Sequence, residues 1–426
     1  MVSKSLVSIS RHLFFISMKL RYLLFILILS LAASGCKQEP EPTPNPNPTP
    51  TISPKEVEKT NDMKLYMHYM PWFNTQEFSG YWGFHWTMAN QDPNVILQNG
   101  NRQIATHYYP LIGPYDSSDP DVIEYHLLLM KLAGIDGLLI DWYGSHEVAD
   151  YGINLGHTNE LIEGIKRVGL DFAVVYEEFT AENVADETSL SDIQAAQQDM
   201  NYAAQNYFSA DEYISLEGRP LMLTFGPRYF RDPAQWGQIL SFITNKPSFF
   251  PLWNTTSQVG EANVTGEFSW VDFTPGLNDL NFYYQSSASA NRTIIGSAYP
   301  GFHDFYQEGG VGTSYGFVDP AGNTLDRTLQ MAEDAELPYL QLVTWNDFGE
   351  GTMFEPTQEF GYTFLEKLQS FAGVSYAKAD LELVHTYYLK RKELANDGAA
   401  QATLDDVFDA FIQLELDTAA NLLDSL

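Results

Sequence analysis

The chain is poor in cysteine and in positive charge. Its 426 residues include one cysteine, so an internal disulfide framework and a cysteine-ligated structural zinc site are excluded. Lysine and arginine number 23 against 55 aspartate and glutamate residues, which gives a formal net charge of −32. Because such a chain repels phosphate backbones, we expect no nucleic-acid partner. Apolar residues reach 44%, which excludes wholesale disorder and leaves room for one large domain or two ordinary ones.

The apolar run near the N-terminus is too short for a comfortable transmembrane helix. Residues 19–36, KLRYLLFILILSLAASGC, join a basic start to an apolar run and end in small residues, the pattern of a secretory signal. Its end resembles the signal of bacterial lipoproteins, in which the cysteine is lipidated. We therefore expect a signal peptide over residues 1–36, a lipid anchor at Cys36, and a place in the cell envelope at the outer membrane or cell surface. An ordinary signal peptide with a stray cysteine is the alternative, and Met18 is an alternative start.

A proline-rich segment follows. Residues 37–54 carry proline at nearly every second position, which favours an extended, semi-rigid spacer. We assign a linker to residues 37–60, a globular domain to residues 61–376 and a helical extension to residues 377–426.

Eight short β-rich runs alternate with helical patterns in the globular domain, which predicts a parallel sheet with helical crossovers. Eight repeats fit a closed α/β barrel, the (β/α)8 TIM barrel. An open doubly wound sheet is the alternative, but no G-x-G-x-x-G motif follows the first run. The predicted strands are residues 64–70, 103–109, 136–143, 171–177, 219–225, 248–254, 293–299 and 338–345.

Aromatic, acidic and histidine residues stand at or near the ends of these predicted strands, where a barrel carries its active site. Taken singly, such residues are more often core or helix caps. Together they describe a cleft with flat apolar walls and polar groups at its floor, which suits an oligosaccharide or polysaccharide. The predicted substrate-binding residues are Tyr66, His68, Trp72, Trp82, Tyr109, Asp141, Trp142, Trp253, His303 and Asn346. One of Glu177 and Glu178 is predicted to join them, because adjacent strand residues point to opposite faces.

Asp347 and Glu350 are the predicted catalytic pair. Hydrolysis of a glycosidic bond needs one carboxyl group as an acid and a second as a base or nucleophile, and a spacing of three residues lets one turn aim both into the same cleft. Gly349 and Gly351 permit close backbone approach. An acidic capping turn explains the same spacing equally well. Glu177 as one of the catalytic carboxylates is a further alternative.

Residues 345–352, WNDFGEGT, followed by Glu355-Pro356, resemble the catalytic segment of glycoside hydrolase families 71 and 99. Three other motifs resemble these families in the same order: residues 68–72, 108–115 and 133–144. The resemblance covers about residues 62–372. It implies a (β/α)8 enzyme that acts on α-glucan or α-mannan, and it favours Glu177 over Glu178 as a substrate-binding acid. We expect no cofactor.

The two families imply different mechanisms. Family 99 resemblance implies retention: the first acid deprotonates the sugar 2-hydroxyl, and Glu350 is the general acid/base. Family 71 resemblance implies inversion through an activated water. Asp347 stands where family 99 has glutamate, and its side chain is one methylene shorter, so the chain departs from the family 99 pattern at the residue that would deprotonate the 2-hydroxyl. No H-x-x-x-H or H-x-H spacing is present, so we predict no metal site.

The sequence therefore predicts an endo-acting glycoside hydrolase for α-linked polysaccharide, held at a membrane by lipid. A non-catalytic glycan-binding lipoprotein on the same barrel is the alternative. The oligomeric state is not predicted.

Overall fold

Eight parallel strands pair edge to edge in a closed ring. The computed structural model describes residues 52–426, so the predicted signal peptide, Cys36 and residues 37–51 of the linker lie outside the described residues. The barrel strands are β1 Lys64–Tyr69, β2 Gly137–Trp142, β3 Asp171–Tyr176, β4 Arg219–Thr224, β5 Ser248–Pro251, β6 Gly266–Phe268, β7 Thr293–Ala298 and β8 Tyr339–Leu342.

Continuous parallel pairing and one isolated parallel bridge together close the ring. Strand β1 pairs with β2 on one side and with β8 on the other, where Lys64 stands opposite Tyr339. The β5–β6 edge is held by one parallel bridge, between Leu252 and Phe268. The remaining neighbours pair in parallel around the ring. The predicted (β/α)8 barrel is confirmed.

One predicted strand is wrong and one strand was missed. Residues 103–109 form an irregular loop, because residues 137–142 occupy the edge of β1 that this run would need. The eighth strand is instead β6, whose three residues are too short to stand out in a sequence. The segment between β1 and β2 is therefore a long excursion that crosses the carboxyl end of the barrel.

Helices surround the ring and begin or end at capping residues. Ser191 and Gln194 form a capping box, and Gly169, in a left-handed conformation, ends another helix. The helices are α1 Phe84–Thr87, α2 Pro120–Leu132, α3 Tyr151–Val168, α4 Thr180–Glu187, α5 Asp192–Asn206, α6 Pro233–Leu240, α7 Thr256–Val259, α8 Asn278–Ser289, α9 Thr324–Asp334, α10 Thr363–Ala372, α11 Lys378–Glu393, α12 Gly398–Ile412 and α13 Leu416–Asp424.

A hydrogen-bonded polar layer fills the barrel beneath its carboxyl end. The amide of Gln341 donates to the carbonyl of Ser269 at 2.6 Å, and its oxygen lies 3.2 Å from Nδ1 of His68. The hydroxyl of Ser269 donates to that of Ser297 at 3.0 Å. Because buried polar groups are costly without partners, this layer holds the ring of His68 in one orientation.

Both ends of the described chain pack on the barrel, within one compact unit that spans Ile52–Leu426. Part of the assigned linker lies along the base, where the backbone N–H of Lys55 donates to Ile412 and the ammonium of Lys131 donates to the carbonyl of Lys55. In the extension, the guanidinium of Arg391 contacts Asp405 at 2.7 Å and Glu124 of α2 at 3.6 Å. Within residues 52–426, no helix has the length and apolar character needed to cross a bilayer.

Candidate active site

A cleft opens at the carboxyl ends of the strands, where a barrel carries its active site. Aromatic rings form its walls and carboxyl groups its floor. It is lined by His68, Met70, Trp72, Phe84, His85, Met88, Asp141, Tyr143, Glu177, Phe179, Phe225, Arg228, Trp270, Tyr306, Asp347, Gly349 and Glu350.

The loop after β8 carries Asp347 and Glu350 into this cleft. Oδ1 of Asp347 accepts the backbone N–H of Glu350 at 2.8 Å, so the acidic capping turn is present and the same aspartate lines the cleft. Gly351 closes the turn with a φ of 66°, and a Cβ there would lie 2.6 Å from the carbonyl oxygen of His303. The turn therefore requires glycine at this position.

The two acids of this pair differ in pKa. Burial raises the pKa of Asp347 to about 6, although the backbone N–H groups of Glu350 and Gly349 oppose the shift. Burial and then the charge of Asp347 raise the pKa of Glu350 to about 8, against the lowering effect of Arg228 and of the Tyr306 hydroxyl. Near neutral pH, Asp347 is mainly a carboxylate and Glu350 mainly a carboxylic acid.

Two further acids complete the floor. Asp141 is the last residue but one of β2 and Glu177 follows β3, and the side chains of both are buried. Burial, then the charges of Glu177 and Asp347, raises the pKa of Asp141 well above its usual range. Burial raises the pKa of Glu177 to about 8, although Arg228 lowers it. These shifts keep much of the floor uncharged near neutral pH.

Three floor carboxyl groups each have an oxygen without a partner. Oδ2 of Asp141, Oε2 of Glu177 and Oε2 of Glu350 are inaccessible to solvent and make no hydrogen bond with any described residue. Leaving such an atom unpaired costs free energy, and all three residues line the cleft, so a small rotation of each side chain would let its carboxyl group bond to a ligand hydroxyl. This is the most direct sign that the cleft binds a polyhydroxylated molecule.

Imidazole and indole rings form one wall. Trp72 stacks on His85, with ring centroids 3.9 Å apart and planes 6° from parallel. His68 meets Trp270 edge-on at 4.9 Å. Burial lowers the pKa of His68 to about 4 and that of His85 to about 3, so both rings are neutral near pH 7. A neutral, flat wall is suited to the C–H face of a sugar.

A buried glutamate holds the cleft's arginine loop. Arg228 is the only lysine or arginine among the described residues that line the cleft, and it follows β4. Behind it, the carboxylate of Glu178 accepts the backbone N–H groups of Arg228, Tyr229 and Phe230, the last two at 2.9 Å. Glu177 therefore lines the cleft, while its neighbour Glu178 points behind the cleft and anchors the loop.

Asn346 braces the loop after β8 from behind. It is fully buried, its Oδ1 accepts the N–H of Met70 at 2.9 Å, and its amide donates to the carbonyl of Met70 and the hydroxyl of Tyr115. The hydroxyl of Tyr115 donates to buried Glu355 at 2.7 Å. Asn346 therefore lies next to the cleft without lining it.

The predicted binding residues divide into two groups. The structure brings His68, Trp72, Asp141 and Glu177 together with Asp347 and Glu350 in the cleft. The others do not line it. Two of them point from the barrel wall toward helices: Trp142 packs near Tyr202 and Tyr207, and Trp253 packs on Tyr283 of α8.

The remaining four lie below or beside the cleft. Tyr66 stacks on Tyr339 inside the barrel, two residues below His68. Trp82 donates to Asn94 in the long excursion, and the hydroxyl of Tyr109 accepts the N–H of Arg102. His303 stacks on His107 at 3.6 Å and contacts the hydroxyl of Tyr108 at 2.9 Å.

Sequence reasoning missed several cleft residues, above all Arg228, Tyr306 and Trp270. Arg228 and Tyr306 lie four and eight residues beyond their strands, where a search of strand ends does not reach. Trp270 follows β6, the strand that was missed. The hydroxyl of Tyr306 donates to Oε1 of Glu350 at 3.3 Å. Within residues 52–426, no group of three His, Cys, Asp or Glu side chains is arranged to hold a metal ion.

Fold and site together define a class: a (β/α)8 barrel with a carboxylate-floored, aromatic-walled cleft at the carboxyl ends of its strands. Residues 60–251 match the sequence model of the family described as glycosyl hydrolase family 99. A mouse protein named glycoprotein endo-alpha-1,2-mannosidase is 28% identical over 25% of each chain. A mouse glycoprotein endo-alpha-1,2-mannosidase-like protein is 26% identical over 42% of this chain and 40% of its own.

Solved structures agree on the fold. A family 99 endo-alpha-mannosidase from Bacteroides thetaiotaomicron superposes with a TM-score of 0.58 at 20% identity, over 73% of this chain and 96% of its own. The sequence alignments span two fifths or less of these mouse relatives. The chain is therefore similar to glycosyl hydrolase family 99 over residues 60–251 and has the same fold, and the predicted resemblance to family 99 is confirmed.

Proposed function

We propose that the protein is an endo-acting glycoside hydrolase that cleaves α-linked polysaccharide, with α-mannan favoured over α-glucan. The observation that carries the proposal is the set of three unpartnered carboxyl oxygens on Asp141, Glu177 and Glu350 at the floor of an aromatic cleft. Hydroxyl groups of a sugar satisfy them, while its C–H faces lie against the rings. The names of the similar proteins favour mannan, because all those cited are endo-mannosidases or resemble one.

The pair after β8 supplies the chemistry. Glu350, with a pKa near 8, protonates the leaving glycosidic oxygen, and Asp347, with a pKa near 6, acts as the base. In the retaining route that family 99 resemblance implies, Asp347 takes the proton of the sugar 2-hydroxyl and that oxygen bonds to its own anomeric carbon. Water activated by Glu350 then opens the ring, and Asp347 returns the proton. In the inverting alternative, Asp347 activates water directly.

The remaining cleft residues hold the substrate. Asp141 and Glu177 accept or donate hydrogen bonds at the sugar hydroxyls, and Trp72 supplies a stacking face. Arg228 limits the rise in the pKa of Glu177 and Glu350, because its positive charge favours the carboxylate form of both. No step calls for a cofactor or a metal ion.

A digest tests the proposal. Full-length protein in mild detergent is incubated with α-mannan, α-1,3-glucan and α-1,6-glucan, and the products are sized and their anomers followed by proton NMR. Short manno-oligosaccharides of retained configuration support the proposal and the 2-hydroxyl route. Inverted gluco-oligosaccharides place the activity on α-glucan through water. Binding without any product favours the non-catalytic glycan-binding alternative.

Charge-neutral variants test the roles of the two acids. Asp347→Asn and Glu350→Gln are each expected to lower kcat on the polymer by at least about a thousandfold, because each removes one proton-transfer group. Glu366→Gln, an exposed position on α10, is the matched control and retains wild-type turnover. Circular dichroism and glycan binding verify that the variants fold. Turnover within tenfold of wild type in either cleft variant contradicts the assigned role.

We also propose that Cys36 carries lipid and holds the protein at the cell envelope. The support is the sequence KLRYLLFILILSLAASGC at residues 19–36, which ends at the single cysteine of the chain. Cys36→Ala is expected to abolish incorporation of labelled palmitate and to release the protein from the membrane fraction. Retention of both label and membrane association contradicts this placement.

A further inference from the structure

Three large aromatic side chains are exposed to solvent on one edge of the cleft. Tyr315 is 73% exposed, Phe317 is 60% exposed and Phe273 is 45% exposed. Tyr315 and Phe317 stand two residues apart in one segment, on either side of Gly316. Phe273 lies against Gly316 between them, because a Cβ at that glycine would come within 3.0 Å of the Phe273 ring. We call these three side chains the aromatic shelf.

The shelf is continuous with the cleft. The ring of Tyr315 meets that of Tyr306 edge-on at 5.7 Å, and the hydroxyl of Tyr306 donates to Glu350. Phe317 meets His303 edge-on at 4.9 Å, and Phe273 meets Phe302 at 4.8 Å. A row of rings therefore leads outward from the proposed general acid.

The shelf is also held rigidly relative to the catalytic loop. Oδ2 of buried Asp304 accepts the N–H of Tyr315 at 2.9 Å, and its Oδ1 accepts the N–H of Tyr306 at 3.3 Å. On the same segment, the N–H groups of His303 and Phe305 donate to the carbonyls of Glu350 and Gly349 at 2.8 Å. One carboxylate and two backbone bonds thus tie shelf, Tyr306 and catalytic loop together.

We propose that the aromatic shelf binds the sugar units of an uncharged polysaccharide that extend beyond the cleft. Contiguous exposed apolar surface next to a pocket marks an interaction site, and flat rings stack on the C–H faces of sugars. A net charge of −32 disfavours a polyanionic chain as the occupant. The inference rests on the proposed function, because the polymer that binds the shelf is the one whose glycosidic bond Glu350 protonates in the cleft.

The test compares a long substrate with a short one. The variant is Tyr315→Ala/Phe317→Ala in the full-length protein, and the readout is kcat/KM on α-mannan relative to the shortest manno-oligosaccharide cleaved. We expect this ratio to fall about tenfold, which corresponds to about 1.4 kcal/mol for two stacked rings. Tyr315→Phe/Phe317→Tyr keeps both ring faces and restores the ratio. Phe242→Ala, an exposed phenylalanine that precedes β5 at the opposite end of the barrel, leaves it unchanged.

A second measurement separates failure of the shelf from failure of the proposed activity. Electrophoresis through gels containing α-mannan, α-1,3-glucan or α-1,6-glucan measures binding without catalysis. Loss of retardation in the double alanine variant supports the shelf even if wild type cleaves nothing. An unchanged substrate ratio together with unchanged retardation overturns it. A lower mass of the variant in sedimentation, with glycan binding intact, also overturns it and assigns the rings to a contact between copies.

Discussion

Replacing Tyr306 with phenylalanine removes one hydroxyl from the cleft and tests the acid role of Glu350. At its ordinary pKa of 4.5, Glu350 would be about 0.3% protonated at pH 7, whereas at a pKa of about 8 it is about 90% protonated. The environment therefore increases the proton-donating form about 300-fold. The Tyr306 hydroxyl works against this shift, because it donates to the carboxylate and stabilises the charged form.

The size of the expected change follows from that single hydrogen bond. At 3.3 Å it is long, and such a bond contributes about 0.5–1.5 kcal/mol, or about half to one pKa unit. In Tyr306→Phe, the pKa of Glu350 rises, so the alkaline limb of the kcat/KM profile moves from near pH 8 toward pH 8.5–9. The acid limb, which Asp347 sets near pH 6, stays in place.

The assay is the pH dependence of kcat/KM on a short oligosaccharide between about pH 4 and pH 10, where bell-shaped limbs report the acid and the base. Short substrates avoid effects on the neighbouring aromatic shelf. Phe317→Ala is the matched control, since it changes a nearby ring without touching Glu350. A limb that moves to lower pH, or one that stays in place while the maximum falls, would refute the assignment of Glu350 as the acid.

Two further predictions concern buried acids. Glu177→Gln is expected to raise Tm at pH 8 and above and to leave it nearly unchanged at pH 4. The pKa of Glu177 is about 8 when folded against 4.5 ordinarily, so the wild type loses stability as pH rises between these values, by a few kcal/mol at most. Thermal melts across pH check this, and a gain confined to acid pH contradicts it. Glu178→Ala leaves three backbone N–H groups unpaired, which is expected to cost about 3–5 kcal/mol in urea unfolding and to lower activity by freeing the Arg228 loop. The stability of Glu178→Gln is expected to lie between that of the wild type and that of Glu178→Ala. Wild-type stability in Glu178→Ala would contradict the anchoring role.

The order of strands and helices was predictable because local patterns encode it. Seven of the eight barrel strands carry the β-rich apolar runs that the sequence displays, since a strand buried on both faces needs such residues. The run at residues 103–109 has the same composition, but no barrel strand offers it a free edge for pairing. Strand β6 pairs with its neighbours in the barrel, but it has only three residues. Pairing partners lie far apart in the chain, so composition alone cannot distinguish these two cases.

The candidate site was partly predictable for a related reason. Residues within one position of a strand's carboxyl end, such as Asp141, Glu177 and His68, reach the cleft because the barrel brings all these ends to one face. Direction decided the exceptions: Trp142 follows Asp141 immediately and therefore points to the opposite side, toward Tyr202 and Tyr207. When the ends of a strand are predicted only approximately, the sequence does not show which of two adjacent side chains points into the cleft.

The sequence by itself determined the composition of the site, namely an acid pair three residues apart after the last strand and an excess of aromatic side chains near strand ends. Only the tertiary structure decided which groups meet. Arg228 and Tyr306 enter the cleft from loops whose paths depend on distant anchors, Glu178 in one case and Asp304 in the other. The acid strengths of Asp347 and Glu350 were likewise set by folding, because burial and mutual charge depend on what surrounds a carboxyl group in space.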